Sequence, residues 1–144
     1  MGEKEVERRL CQRFKIPGAT ISYRKEGLFS SKARTGEEFC PVLDLSRGGI
    51  RFLTQKPLKF KSRIFLQLSI PGERVPLDLR GRVRWSTFSA GQSYKYQAGV
   101  QFYPYGLEKG QNVPQALTRI VALETKFIEP ETPAAPPNAG GIAA

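Results

Sequence analysis

The feature that most constrains the fold of this chain is a strict alternation of apolar and polar residues between positions 60 and 102. Within residues 60–70 every second position from 64 onward is aliphatic, namely Ile64, Leu66, Leu68 and Ile70. The same period of two recurs in residues 75–85 and 94–102. Such alternation is typical of β-strands that bury one face and expose the other. This region is therefore predicted to be antiparallel sheet.

Turn and loop residues divide the chain into about six strands. Three further segments are rich in β-forming side chains, namely residues 19–24, 39–43 and 50–54. Pro71-Gly72 marks a tight turn, residues 25–36 and 86–93 are predicted loops, and a bend is expected at Gly81. Six strands joined by short connections, with no helix between them, predict a mainly β fold that is a closed or nearly closed antiparallel barrel.

The period of the apolar residues changes near the end of the chain. Spacings of three and four relate Val113, Leu117, Ile120, Val121 and Phe127. They predict a C-terminal helix of about four turns. Asn112 and Gln115 resemble a capping box, and Pro114 is tolerated in the first helical turn. The helix is expected to cap the barrel, although its apolar stripe could instead mediate homodimerisation.

The chain of 144 residues is predicted to form one domain with four parts. These are a flexible arm (1–18), the barrel (19–105), the helical region (106–128) and a disordered tail (129–144) rich in Pro, Ala and Gly. Charged residues crowd the segment after Met1, and no apolar run approaches the roughly 20 residues that a membrane span requires. We therefore expect a cytoplasmic protein without a membrane span.

The composition favours an anionic partner and disfavours catalysis. The net charge is +10, from 23 Lys and Arg against 13 Asp and Glu. The absence of histidine removes the commonest neutral-pH base and the commonest metal ligand. Cys11 and Cys40 lack the paired spacing of zinc and redox sites, so free thiols are expected. No enzyme activity, metal or cofactor is predicted.

Two short polar clusters stand out against this background. The first is the turn from Asp44 to Gly49, where Asp44 and Ser46 fall on one face and Gly48-Gly49 permits positive φ or close approach of a backbone or ligand. The second is Arg9 and Arg13, whose spacing of four lets both side chains reach one anion. Each has an ordinary alternative, namely a hairpin turn for the first and a solvated terminus for the second.

Together, RxxxR at Arg9 and Arg13 and DxSxxG at Asp44, Ser46 and Gly49 resemble the two signature motifs of the PilZ domain family. The resemblance extends to the strand at residues 96–102 and covers roughly residues 7–105. It implies a six-stranded barrel that is a receptor for the bacterial second messenger cyclic di-GMP. The site residues it implies are Arg8, Arg9, Arg13, Asp44, Ser46 and Gly49. Arg8 resembles the corresponding residue of members that accept a stacked pair of ligands, and only proximity suggests Arg47.

The chemistry of these residues suits such a ligand. Arginine grips a phosphate, or the O6 and N7 atoms of guanine, with two parallel hydrogen bonds. The carboxylate of Asp44 complements the N1 and N2 donors of guanine, the Ser46 hydroxyl can donate to a phosphate or base, and Gly49 would expose bare backbone. We expect that ligand binding orders the arm and that the result is signalled to a protein partner in motility, biofilm or exopolysaccharide control.

Two other functions remain open. PilZ-like modules that bind proteins but no nucleotide exist, although the resemblance implies that they lack the arginine motif. Non-specific nucleic-acid binding would suit the net charge and the alternating Arg80, Arg82 and Arg84. It is disfavoured because no RNA-recognition signature is present and because Asp44 would repel phosphates.

Overall fold

Six antiparallel strands close into a barrel in the computed structural model, which describes residues 12–26, 36–91 and 93–128. The elements are β1 (Thr20–Lys25), β2 (Gly36–Leu45), β3 (Gly49–Thr54), β4 (Arg63–Ser69), β5 (Leu77–Phe88), β6 (Tyr96–Phe102) and the helix α1 (Pro114–Phe127). Around the barrel the strand order is β1-β2-β3-β6-β5-β4, and β4 pairs with β1 to complete the ring. The predicted mainly β fold, a six-stranded antiparallel barrel with a C-terminal helix, is confirmed.

The alternation in the sequence determines which side chains fill the barrel. Ile64, Leu66 and Leu68 of β4 are buried, while Arg63, which precedes them, and Gln67, which lies between Leu66 and Leu68, are exposed. Each of the other strands contributes buried apolar side chains to the same core. Burying one such side chain stabilises the fold by about 1.5–3 kcal/mol, so this inward face holds the barrel together.

The end of the β5–β6 hairpin differs from its prediction. Strand β5 continues to Phe88, so the predicted loop at residues 86–93 is shorter than expected. Phe88 is the cross-strand partner of Tyr96, and the two rings stack at 5.1 Å. An aromatic pair of this kind stabilises a hairpin end, which explains why the strands extend this far.

The irregularity in β5 lies two residues beyond the predicted bend. The register between β5 and β6 shifts between Val83 and Trp85, not at Gly81. Gly81 is required for a different reason, because a Cβ atom there would lie 2.7 Å from the carbonyl oxygen of Gln101. The absence of a side chain lets β5 approach β6 closely at this point.

Helix α1 packs against the barrel through a face that differs from the predicted stripe. Ala116, Ile120 and Leu123 are buried in the same core as the strand side chains. Of the predicted stripe, Ile120 is buried and Phe127 packs partly against the core, whereas Val113 is exposed.

The predicted capping box at the start of this helix is wrong. The N-cap is Val113, which makes no side-chain capping hydrogen bond. The Asn112 side chain faces the barrel instead: its Oδ1 accepts from the backbone N–H of Arg80 at 2.7 Å, and its Nδ2 donates to the carbonyls of Arg80 and Tyr103 at 3.1 and 2.9 Å. Asn112 thus provides a partner for the Arg80 N–H and the Tyr103 carbonyl and a second donor for the Arg80 carbonyl, which also accepts from the Tyr103 N–H at 3.0 Å.

The segment before β1 is already attached to the barrel. Phe14 and Leu45 exchange two backbone hydrogen bonds of 2.9 Å, and the side chains of Phe14 and Ile16 are buried. This differs from the prediction of a flexible arm over residues 1–18, because two apolar side chains give its last part a reason to pack. Residues 1–11 and the predicted tail at 129–144 lie outside the described residues.

Cys40 is a buried free thiol, as expected for one of the two cysteines. Burial, with a smaller contribution from the carboxylate of Glu37, raises the pKa of the thiol to about 12. Cys11 lies outside the described residues.

We predict that Asn112→Ala lowers the free energy of unfolding by about 2 kcal/mol, because it leaves two half-buried backbone groups, the Arg80 N–H and the Tyr103 carbonyl, without their hydrogen-bond partner. Gln115→Ala, at the other position of the rejected capping box, should change stability by less than about 0.5 kcal/mol. Urea unfolding of both variants would test this. Equal losses would mean that the two residues do cap the helix together.

Candidate functional site

One row of cross-strand neighbours runs across four strands of the barrel. Asp44 of β2 pairs with Arg51 of β3, Arg51 pairs with Gly99 of β6, and Gly99 pairs with Trp85 of β5. Residues directly opposite each other in a ladder share one face of the sheet. The register therefore brings a carboxylate, a guanidinium and an indole ring into one line.

Asp44 is buried and fully engaged by arginines. Its Oδ1 accepts from Nη1 of Arg13 at 2.9 Å and from Nε of Arg51 at 3.1 Å, and its Oδ2 accepts from Nε and Nη2 of Arg51 at 2.9 and 2.5 Å. The hydrogen bonds to Asp44 raise the pKa of the Arg51 guanidinium, an effect that burial partly opposes. A buried carboxylate needs such partners, since an unpaired charge away from water is costly.

The turn after Asp44 is organised by Ser46. Its Oγ accepts hydrogen bonds from the backbone N–H groups of Gly48 and Gly49, both at 3.2 Å, and its own N–H donates to the Gly49 carbonyl at 2.8 Å. The buried hydroxyl is thus committed to shaping the turn.

Close backbone approach, and not positive φ, explains the glycines of the site. Neither Gly48 nor Gly49 has a positive φ. A Cβ atom at Gly49 would lie 2.5 Å from the carbonyl oxygen of Val100, and one at Gly99 would lie 2.3 Å from the Trp85 ring. Gly49 therefore lets β3 lie against β6, and Gly99 leaves room for the indole ring of Trp85 against the β6 backbone.

An open pocket of about 290 Å³ lies over this row. Its lining includes Arg13, Ser46, Gly49, Arg51, Arg84 and Trp85. Arg84 is held by a hydrogen bond from its Nη1 to Oε1 of Gln101, which also lines the pocket. Three guanidinium groups and one aromatic ring around a shallow concavity suit a planar, negatively charged ligand.

The structure brings together the described members of the predicted site. Arg13, Ser46 and Gly49 line the pocket, and Asp44 lies beneath it, covered by Arg13 and Arg51. Arg8 and Arg9 lie outside the described residues. Their roles, and those of the four described residues, remain predictions.

Three residues of the pocket were missed by sequence reasoning. Arg51 could have been found, because it follows Gly49 by two and alternation puts it on the same face. Trp85 and Arg84 could not, because their position depends on the register between β5 and β6.

A second set of contacts joins the turn to helix α1. Arg47 donates through Nε to Oε1 of Glu124 at 2.8 Å, and its carbonyl accepts from the Tyr105 hydroxyl at 2.6 Å. Burial raises the pKa of that hydroxyl, so Tyr105 remains a hydrogen-bond donor at neutral pH. Arg47 therefore has a structural partner on the helix.

Comparison with known protein families agrees with this geometry. The family description "PilZ domain" matches residues 7–121, and the chain belongs to this family of binding and receptor domains associated with cyclic di-GMP. No curated protein matches the chain.

Two features are absent from residues 12–26, 36–91 and 93–128. In these ranges no cluster of His, Cys, Asp and Glu could hold a metal ion. None of the helices found there is long and apolar enough to cross a membrane.

We predict that Arg51→Ala lowers the free energy of unfolding by about 2 kcal/mol, because it removes the two-pronged partner of a buried carboxylate. Arg13→Ala should cost less than about 1 kcal/mol, since the Arg13 side chain is 54% exposed and makes one bond to Asp44. Urea unfolding measures both. The reverse order of losses would show that Arg13, and not Arg51, holds Asp44.

Proposed function

We propose that this chain is a cyclic di-GMP receptor and that the pocket over Asp44, Arg51 and Trp85 is its ligand site. The observation that carries the proposal is the convergence of Arg13 and Asp44, each from a different signature motif, in one ion pair of 2.9 Å. Two motifs separated by some thirty residues meet at one point of the barrel, which is what a shared ligand requires.

The arginines around the pocket would hold the phosphates and guanine edges. Arg13 and Arg84 both line the pocket and carry forked donors. The ligand bears two negative charges, and the local excess of guanidinium groups over carboxylates would attract it. Lysine in these positions would supply charge without two-pronged geometry.

Asp44 would accept hydrogen bonds from the N1 and N2 donors of guanine after one of its arginine partners has moved away. Its oxygens are occupied in the free chain, so the ligand must displace a hydrogen bond. Arg13 is the partner that can leave, because it makes one bond and is half exposed, whereas Arg51 makes three. Arg13 would swing to the ligand while Arg51 keeps the carboxylate in place.

Trp85 would provide the stacking surface that sequence reasoning left unassigned. Its ring lies against Gly99 in the floor of the pocket. Stacking on an aromatic side chain contributes about 1–3 kcal/mol per base. A purine stacked there would lie beside Arg51 and Arg84.

Binding would then order the arm. Phe14 anchors the chain to Leu45, so the residues before it begin at the edge of the pocket. Arg8 and Arg9 would reach the ligand from there, and fixing each backbone residue costs about 1–2 kcal/mol, which the arginine contacts must exceed. The ordered arm would present a new surface to a protein partner in motility, biofilm or exopolysaccharide control. We place these events in the cytoplasm.

We predict saturable binding of cyclic di-GMP that changes the fluorescence of Trp85, the one tryptophan in the sequence. Arg13→Ala and Asp44→Ala should each weaken binding by at least about tenfold, because each removes charge-assisted hydrogen bonds. Calorimetric titration gives the affinity and the number of ligands per chain, which separates one ligand from a stacked pair.

The controls for this titration are GMP, cyclic di-AMP and the variant Arg74→Ala. Arg74 is exposed in the β4–β5 turn, so Arg74→Ala changes the net charge by the same amount as Arg13→Ala without touching the pocket. No heat and no thermal shift for the folded wild type would reject the receptor and leave a protein-interaction module as the better assignment.

We predict that cyclic di-GMP slows amide hydrogen exchange in residues 5–13, whereas exchange of Ile64, Leu66 and Leu68 in the core stays unchanged. Arm ordering forms new hydrogen bonds only near the pocket, so protection should be local. Mass spectrometry of peptic fragments measures it. Equal exchange of the arm with and without ligand would rule out the ordering step while leaving binding itself intact.

A further inference from the structure

A cationic patch with an exposed aromatic tip lies beside the candidate site. It consists of Lys59, Phe60, Lys61, Arg63, Arg82 and Arg84 and is called the turn patch below. Lys59 to Ser62 form a tight turn in which the Ser62 N–H donates to the Lys59 carbonyl at 3.0 Å. Phe60, at the tip of this turn, is 58% exposed.

Backbone pairing puts the five cations of the turn patch next to one another. Arg63 and Arg82 are direct cross-strand partners. The ladder continues into the turn, since the Lys61 N–H donates to the Val83 carbonyl at 2.8 Å and the Val83 N–H donates to the Ser62 carbonyl at 2.9 Å. Lys61 and Arg63 therefore run alongside Arg82 and Arg84.

These charges are not neutralised within the described part of the chain. Its four ion pairs involve Arg13, Arg47, Arg51 and Arg119, and none involves a cation of the turn patch. Like charges directly opposite in a ladder destabilise a sheet. The Arg63 and Arg82 pair is thus a cost to the free protein that an anionic partner would remove.

The tip of the turn carries backbone strain as well. Lys61 has a φ of 71°, a left-handed conformation that is uncommon for residues other than glycine, asparagine and aspartate. In this conformation its ammonium group lies 5.5 Å from the centre of the Phe60 ring. Strained residues of this kind concentrate at functional sites.

We propose that the turn patch docks on an anionic lipid bilayer. Lys and Arg side chains attract acidic headgroups, and an aromatic ring at the tip of a turn can enter the boundary between headgroups and acyl chains. A bilayer surface is also broad and its headgroups are mobile, so it neutralises several neighbouring cations without matching a fixed arrangement of charges.

Other anionic partners fit the turn patch less well. Single-stranded nucleic acid is bound by a charged groove with successive aromatic platforms, whereas this turn protrudes and offers one ring. A stable protein interface needs a well-packed apolar centre, and Phe60 alone does not supply one. The turn patch shares one residue, Arg84, with the candidate site. The proposal is nevertheless tested independently of nucleotide binding, because the patch variants change Lys59, Phe60 and Lys61 and leave Arg84 intact.

The test is co-sedimentation of the full chain with vesicles of phosphatidylcholine alone or mixed with phosphatidylglycerol, without nucleotide. We expect binding only to the mixed vesicles, and weaker binding at higher salt. Each cation near an anionic surface is worth about fivefold in affinity, so Lys59→Gln/Lys61→Asn should weaken binding by about 25-fold. Asparagine at 61 tolerates the left-handed φ, which keeps the turn intact.

Two further variants make the test specific. Arg74→Gln/Lys109→Gln removes the same charge from exposed sites outside the turn patch, and it should retain most of the affinity. Phe60→Ser removes no charge, so a several-fold loss would show that the ring enters the bilayer. Thermal unfolding confirms that each variant is folded.

Three results would overturn the proposal. They are equal binding to both kinds of vesicle, equal losses in the patch and control variants, and tighter binding to a single-stranded oligonucleotide that the patch variants abolish. The last would assign the turn patch to nucleic acid. None of them bears on cyclic di-GMP binding, which Trp85 fluorescence reports separately.

Discussion

The register of the β2, β3, β6 and β5 ladders is the constraint on which the rest of this site depends. Asp44, Arg51, Gly99 and Trp85 are far apart in sequence and become neighbours because these four strands pair in one order. A slip of one residue in any of the ladders would turn that strand's contribution to the opposite face. Closure of the barrel fixes the register, since every strand is paired on both sides.

Within this framework the Asp44 carboxylate acts as an internal counter-charge. It neutralises part of the positive charge that the two motifs concentrate at one spot, and it gives Arg51 a fixed position in the pocket wall. A site made of arginines alone would repel itself before any ligand arrived. The acid in the second motif can therefore serve the free protein as well as the recognition of a base.

The features of the fold that depend on the spacing of apolar residues could be predicted from the sequence. The period of two identified the core face of β4, and the change of period located α1. Features that depend on which strands become neighbours were inaccessible, as Trp85 and the extension of β5 to Phe88 show. Asn112 is an instructive error: its spacing from Gln115 suited a helix cap, but the backbone groups of Arg80 and Tyr103 bind the same amide.

The site itself was predictable only in part. Asp44, Ser46 and Gly49 are close in sequence and could be recognised together, and the structure adds that Ser46 and Gly49 serve the turn and the strand contact. Arg51 could also have been predicted, because alternation along β3 puts it on the same face as Gly49. Arg84 and Trp85 required long-range pairing that no local pattern contains.

The contacts of Arg47 have a consequence for movement. The turn between β2 and β3 is fastened outside the sheet at two points, through the Arg47 side chain to Glu124 and through the Arg47 carbonyl to Tyr105. A turn fastened in this way cannot shift alone, because any displacement pulls on the helix or breaks a hydrogen bond. A displacement of the β2–β3 turn should therefore be accompanied by a displacement of helix α1, and a displacement of the helix by one of the turn.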